Sequence, residues 1–136
     1  MLNKSLNRPL VSIIVRTKDR PYLLKQALAS ITSQTYDNIQ VILINDGGCA
    51  INIDEIKTIL VNRTLTYIHN QNTLGRSEAG NVALSHIEGR YFGFLDDDDT
   101  LFPDHIDTLV SFLENSDYRV AYSDVVEFRK KYNTET

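Results

Sequence analysis

The chain has 136 residues, 42% of them apolar and 24% charged, a balance that fits one globular domain able to bury roughly two thirds of the surface its unfolded form exposes. Fourteen basic against eighteen acidic side chains leave a net charge of −4, which excludes a sequence-independent grip on nucleic acid, where phosphate neutralisation supplies most of the affinity. A single cysteine, Cys49, excludes an intrachain disulfide and fits a reducing, cytoplasmic compartment, and no apolar stretch approaches the ~20 residues of a membrane span.

Taken in chain order, Pro9 to Val15 is a short β-branched run of the kind buried on both faces of a sheet. The polar stretch Arg16 to Arg20 ends it. Leu23, Leu24, Ala27, Leu28 and Ile31 then recur at helical spacing, so the pattern predicts a helix from Pro21 to about Ser33 with Asp19 as its cap. Ile39 to Asn45 reads as a second buried strand, closed by the turn signal Asp46-Gly47-Gly48. Ile53, Ile56, Ile59 and Leu60 fit a short helix, and Leu65 to His69 a third strand. After a polar loop from Asn70 to Gly75, Ala79, Val82, Ala83 and Ile87 mark a helix that stops at Gly89. Arg90 to Leu95 is a fourth strand, Ile106, Leu109, Val110 and Leu113 a fourth helix, and Tyr118 to Phe128 a last strand or two. Residues 1–8 and 131–136 read as frayed ends.

Strands alternating with helices at this spacing predict an open, mostly parallel α/β sheet of Rossmann-like type, with helices on both faces. The polar clusters Thr17 to Arg20, Asp46, and Asp96 to Asp99 then all fall at carboxyl ends of strands, the edge where open α/β sheets bind ligands. Four consecutive aspartates on a stiff strand end repel one another unless a cation accepts their oxygens, so Asp96 to Asp99 read as a divalent-metal site. The bland alternative is a solvated acidic turn that caps the next helix, with Pro103 near its first turn. His69, His86 and His105 are scattered without metal-ligand spacing, and Cys49 sits in no activating pattern.

Four segments in this order, VSIIVRTKDRPYLLKQALASITSQTY, VILINDGG, NQNTLGRSEAGNVAL and GRYFGFLDDDDTLFPDHI, closely resemble the N-terminal, donor-binding half of family 2 inverting glycosyltransferases with the GT-A fold. The resemblance runs from about Pro9 to Phe128. It implies a nucleoside diphosphate sugar as donor, most often a uridine diphosphate sugar, an unknown acceptor, and Mn²⁺ or Mg²⁺ as cofactor. By the same resemblance Thr17 contacts the base, Asp46 accepts the uracil imide hydrogen, Asp96 or Asp97 meets the ribose hydroxyls, and Asp98 ligates the metal. Asp99 is left as helix cap or a supporting residue, and Asn45, where the family commonly has Asp, as a strand-end hydrogen bonder. The family's Arg immediately before Asn81 is replaced by Gly80, which makes Arg76 the candidate substitute for steadying phosphate or ribose. Of the basic triplet Arg16, Lys18 and Arg20, the last is the candidate for the diphosphate, with plain solvation the alternative for all three.

Inversion by a single displacement needs a general base for the acceptor hydroxyl. No pattern recommends Asp104, Asp107 or Asp124 for that part, so residues 1–136 read as the donor-binding fragment of a longer catalytic domain that supplies the base and any membrane association elsewhere. Competing readings are a non-catalytic nucleotide-binding or scaffolding module and a receiver-like signalling domain. The second is disfavoured by the basic-leaning Arg16 to Arg20 where an acidic pair belongs. A nucleotidyltransferase of related topology is weakened by the lack of a Gly-rich phosphate loop after the first strand.

Overall fold

A computed structural model describes residues 8–127. Strand β1 (Val11–Thr17), helix α1 (Pro21–Thr32), β2 (Ile39–Asp46), α2 (Ile53–Leu60), β3 (Thr64–Asn70), α3 (Arg76–Leu84), β4 (Tyr91–Asp96) and α4 (His105–Glu114) follow one another along the chain. The four strands form one parallel sheet in the order β3-β2-β1-β4. Right-handed crossovers leading outward from β1 to β3 put α1 and α2 on one face; the connection from β3 back across to β4 reverses direction, so α3 lands on the other.

The two faces have unequal cores. Val11, Ile13 and Val15 of β1 and Val41 and Leu43 of β2 pack with Leu24, Leu28 and Ile31 of α1, Ile56 and Leu60 of α2, and Ile106 and Val110 of α4. The opposite face holds a smaller buried set, Ile14, Ile42 and Ile44 against Ala79 and Ala83 of α3, with Ile68, Val82 and Ile87 half-buried around it. Every residue of β2 is buried, as an interior strand of a two-sided parallel sheet requires. Three polar side chains, Ser12, Gln34 and Gln40, sit within these layers because each finds hydrogen-bond partners there. Ser12 donates to Gln40 at 2.6 Å, and Gln40 in turn donates to the His86 carbonyl at 3.1 Å; Gln34 donates to the Phe102 carbonyl at 2.7 Å and accepts from the Ile106 amide at 3.1 Å.

The predicted strands and helices as far as α4 are present, with differences at their ends and after α4. The first strand runs two residues further than its apolar run, through Arg16 and Thr17, because their backbones still pair with Ile44 and Asn45 of β2. Asp19 does not cap α1: Arg20 occupies the cap position, and Asp19, at φ 53°, turns its carboxylate to accept from the Cys49 amide at 2.7 Å. The third helix ends at Leu84, five residues before Gly89. Nor do Tyr118 to Glu127 form a strand. Val120, Tyr122 and Val125 are 79%, 91% and 89% exposed; the segment has strand composition but pairs with no strand among the described residues. Phe128 and residues 131–136 lie outside the described residues. Arg8, expected to fray, is anchored by an ion pair with Asp107 and lies over the Tyr36 ring at 4.2 Å.

Candidate functional site

The strand order reverses between β1 and β4: from β1 the chain builds outward through β2 to β3, then returns to lay β4 on β1's other side. In open α/β sheets the crevice at such a switch point, at the carboxyl ends of the strands, is where ligands bind. Here it lies between Thr17 to Arg20 and Asp96 to Asp99.

A tight turn sorts the four aspartates. The Asp99 amide donates to the Asp96 carbonyl at 3.0 Å, folding the run so that carboxylate oxygens of Asp96, Asp98 and Asp99 all lie within 4.8 Å of one another. Asp97 points the other way. It is buried and accepts from the Thr17 hydroxyl at 2.8 Å, a bond that ties β1 to the start of the turn. Two arginines flank the cluster: Arg76, the first residue of α3, reaches Asp96 at 3.1 Å, and Arg20 reaches Asp98 at 3.4 Å and Asp97 at 3.5 Å. Burial, then the charges of Asp98 and Asp96, push the Asp99 carboxyl up, against the opposing pull of Arg76. The donor set is all carboxylate oxygen and carries uncompensated negative charge, which suits a hard divalent cation such as Mg²⁺ or Mn²⁺ and not a soft one. Asp99 therefore belongs with the cluster and is no helix cap. That position falls to Asp104, whose side chain makes no capping bond.

Asp46, at the end of β2, is fully buried and surrounded by donors. One carboxylate oxygen accepts from the Leu74 amide at 2.8 Å and the Asn70 side chain at 3.2 Å; the other accepts from the Gly75 amide at 3.1 Å and from two nitrogens of Arg16 at 2.9 and 3.2 Å. Burial alone raises this carboxyl, but the Leu74, Asn70, Arg16 and Gly75 bonds outweigh it and hold Asp46 below the usual carboxylate range. In this arrangement Asp46 fastens the loop from Asn70 to Gly75 onto the sheet, and no lone pair faces solvent. Lys18 supports the same loop, donating to the Thr73 hydroxyl at 2.8 Å, and Thr73 donates to the Asp46 carbonyl at 3.1 Å. Gly47 lets the loop approach: its φ is +80°, and a Cβ there would lie 2.5 Å from the Thr73 amide nitrogen.

The structure thus brings Thr17, Arg20, Arg76, Asp96, Asp97 and Asp98 to one crevice and sets Asp46 beneath the adjoining loop. Asn45 is a strand-end hydrogen bonder, accepting from the Gly48 amide at 3.0 Å and donating to the Cys49 carbonyl at 2.8 Å. His69, His86 and His105 contact the Gly48 carbonyl, the Val82 carbonyl and Ser123, and none joins the carboxylates. Cys49 is exposed. The sequence offered Arg16 only as one of a basic triplet with solvation as its alternative, and not as the partner of Asp46. Once β1 is known to continue through Thr17, alternation puts Arg16 on the face shared with Ile14 and Thr17 on the opposite one, which is the signal that separates a sheet-face guanidinium from a solvated one.

Fold and site define an open parallel α/β domain with an acidic, arginine-flanked ligand crevice at its switch point. The profile of Glycosyl transferase family 2 matches residues 12–136, and the chain belongs to that family. It is 32% identical over 122 residues, 89% of this chain, to an uncharacterized glycosyltransferase of Haemophilus influenzae, of which it spans 38%. It is also 32% identical over 100 residues to glycosyltransferase GlyA of Streptococcus pneumoniae, covering 73% of this chain and 14% of that protein. Among solved structures, Staphylococcus aureus TarS superposes with a TM-score of 0.70 at 20% identity over 77% of this chain and 19% of its own. TarS residues 1-349 have been solved in complex with UDP and with UDP-GlcNAc. Mannosyltransferase PcManGT of Pyrobaculum calidifontis, solved with GDP-Man and Mn²⁺, superposes at 0.62 and 24% identity over 71% of this chain and 29% of that one. The fold is therefore the GT-A type. The receiver-like alternative fails on topology as well, since that fold places β1 between β2 and β3 whereas here it lies between β2 and β4. No helix among the described residues is long and apolar enough to cross a membrane.

Proposed function

We propose that the chain is the donor-binding part of an inverting, metal-dependent glycosyltransferase that takes a uridine diphosphate sugar and passes its glycosyl group to an acceptor. The observation that carries this reading is the triad Asp96, Asp98 and Asp99 at the end of β4, with ligand oxygens within 4.8 Å and arginines on either side. Asp98, with Asp96 and Asp99 beside it, would hold Mg²⁺ or Mn²⁺; when bound, that ion neutralises charge on the departing diphosphate. Arg76 and Arg20, exposed enough to swing, bind the diphosphate oxygens that face away from the carboxylates. Asp97 and Asp96 are assigned the ribose hydroxyls, and Thr17 the edge of the base. For Asp46 to accept the uracil imide hydrogen, the nucleobase must replace one of its present donors, the Asn70 side chain or a loop amide. The general base for the acceptor is assigned to no residue of this chain.

Support for the uridine donor comes from the structural relatives solved with UDP and UDP-GlcNAc, and support for the ion from the relative solved with Mn²⁺. Calorimetry with uridine diphosphate, with and without Mn²⁺, and with cytidine diphosphate in parallel, tests both. Metal-dependent binding that favours uridine is expected. Equal affinity with and without the ion sinks the metal assignment, and equal affinity for the two nucleotides sinks the base assignment.

A further inference from the structure

We infer that Arg16 is a positioning residue: through its two-pronged bond to Asp46 it holds the loop Asn70 to Gly75 against the sheet and thereby aims Arg76 at the carboxylate cluster. The inference rests on the donor-site reading above and extends it to a residue outside the crevice lining assigned there.

The chain of contacts is continuous. Arg16 projects from β1 toward the α3 face and grips one oxygen of Asp46 with two nitrogens, at 2.9 and 3.2 Å. That same oxygen accepts the Gly75 amide at 3.1 Å, and its twin accepts the Leu74 amide at 2.8 Å. Gly75 is the residue from which α3 starts, at φ 94°, and its carbonyl accepts the Ala79 amide at 2.9 Å as the first turn of the helix. Arg76 follows immediately and meets Asp96 at 3.1 Å. Without Arg16 a fully buried carboxylate would lose its charged partner and keep only amide donors. A carboxylate in that state is raised toward protonation by burial, and a protonated one accepts from fewer donors. The loop amides would be the bonds released, and the start of α3 with them.

A competing role for Arg16 is direct contact with ligand, because its guanidinium also edges a cavity of about 200 Å³ shared with Arg76, Phe94 and Asp96. The two roles differ in what happens when Asp46 is removed. If Arg16 acts through Asp46, its loss matters only while the carboxylate is there; if it touches ligand, its loss adds to that of Asp46.

The experiment is a double-mutant cycle of Arg16→Met, Asp46→Asn and the pair, with Arg16→Lys as the charge-keeping control. Two quantities are read: amide hydrogen exchange at Leu74 and Gly75 without nucleotide, and affinity for uridine diphosphate with Mn²⁺. Arg16→Met is expected to lower protection at both amides and to weaken nucleotide binding roughly tenfold, the loss of one charge-assisted contact. Arg16→Lys should recover part of each, and the pair should bind within about twofold of Asp46→Asn alone. Additive losses, or unchanged protection at Leu74 and Gly75 in Arg16→Met, overturn the inference. Should the wild type bind no uridine diphosphate, the donor reading falls, while the exchange data still decide whether Arg16 holds the loop.

Discussion

Replacing Arg76 with Gln should change metal affinity in opposite directions depending on whether nucleotide is present. In the free protein Arg76 competes with the ion for Asp96, from 3.1 Å, and adds its own positive charge to the cluster's edge. The pair is open to solvent, with side-chain exposures of 76% for Arg76 and 49% for Asp96, so its worth is that of a surface ion pair, about 0.2 to 1 kcal/mol. Removing it should tighten Mn²⁺ binding by up to roughly fivefold. Once a diphosphate is present the guanidinium has a better partner, and its loss deprives the ligand of a charge-assisted bond; with the exposure above, about 1 kcal/mol is a reasonable share, again roughly fivefold but in the other direction. Titration calorimetry of Mn²⁺ into free protein and into protein saturated with uridine diphosphate reads both signs in one preparation. Arg76→Lys keeps the charge and should fall between, and raising the salt concentration should shrink both effects because the pair is exposed. Weaker Mn²⁺ binding by free Arg76→Gln would refute the reasoning, since it would mean that Arg76 organises the carboxylates instead of competing for them.

Asp98→Asn should remove metal-dependent nucleotide binding while leaving the melting temperature unchanged or slightly higher, whereas Asp97→Ala should lower stability by about 1 to 2 kcal/mol through the lost Thr17 bond; chemical denaturation of both variants reads the contrast, and the reverse order would shift the site by one residue. Gly47→Ala should destabilise by about 2 kcal/mol or more in urea unfolding, because the new Cβ would meet the Thr73 amide nitrogen at 2.5 Å in a left-handed conformation; a change under about 0.5 kcal/mol would show that the Thr73 loop moves aside freely. Acid should loosen the same loop. The Asp46 carboxyl is held below the ordinary carboxylate range, so its contribution is complete above the range of a free carboxyl and is lost as pH falls through its lower folded value. Exchange protection at Leu74 and Gly75 should therefore hold at about pH 5 and be lost only as pH falls below the ordinary carboxylate range, and failure already at that pH would contradict the bond set around Asp46.

The parallel strands were readable because an interior strand covered on both faces leaves a continuous β-branched run, and Val11 to Val15 and Ile39 to Ile44 are such runs. Their polar ends were not. Arg16, Thr17, Asp46 and Asn70 all belong to strands, yet each looks like a loop residue until the ladder is seen, since pairing at a strand's end is a backbone property that side-chain type does not report. Tyr118 to Glu127 failed in the opposite sense. Its residues are right for a strand, but among the described residues no strand edge has taken them up, and β-propensity measures fit to a neighbour more than any preference of the backbone.

The aspartate run shows the same limit at the site itself. Four identical side chains in succession give no internal landmark, so composition cannot say which face inward. The landmark is the Asp99 amide bonding to the Asp96 carbonyl, a turn closure that rotates Asp97 toward Thr17 and gathers the other three. With that register, four carboxylates face two guanidiniums, Arg20 and Arg76, and two negative charges stay unmatched. A single divalent cation would match them. Without it the imbalance falls on Asp99, whose carboxyl is raised by burial and then by Asp98 and Asp96. A cluster that only terminated a strand or led into a helix would gain stability by exchanging one of these aspartates for Asn, because that removes like-charge repulsion and costs no capping bond here. Keeping all four carboxylates forgoes that gain, the pattern expected where a ligand rather than the fold completes the charge balance.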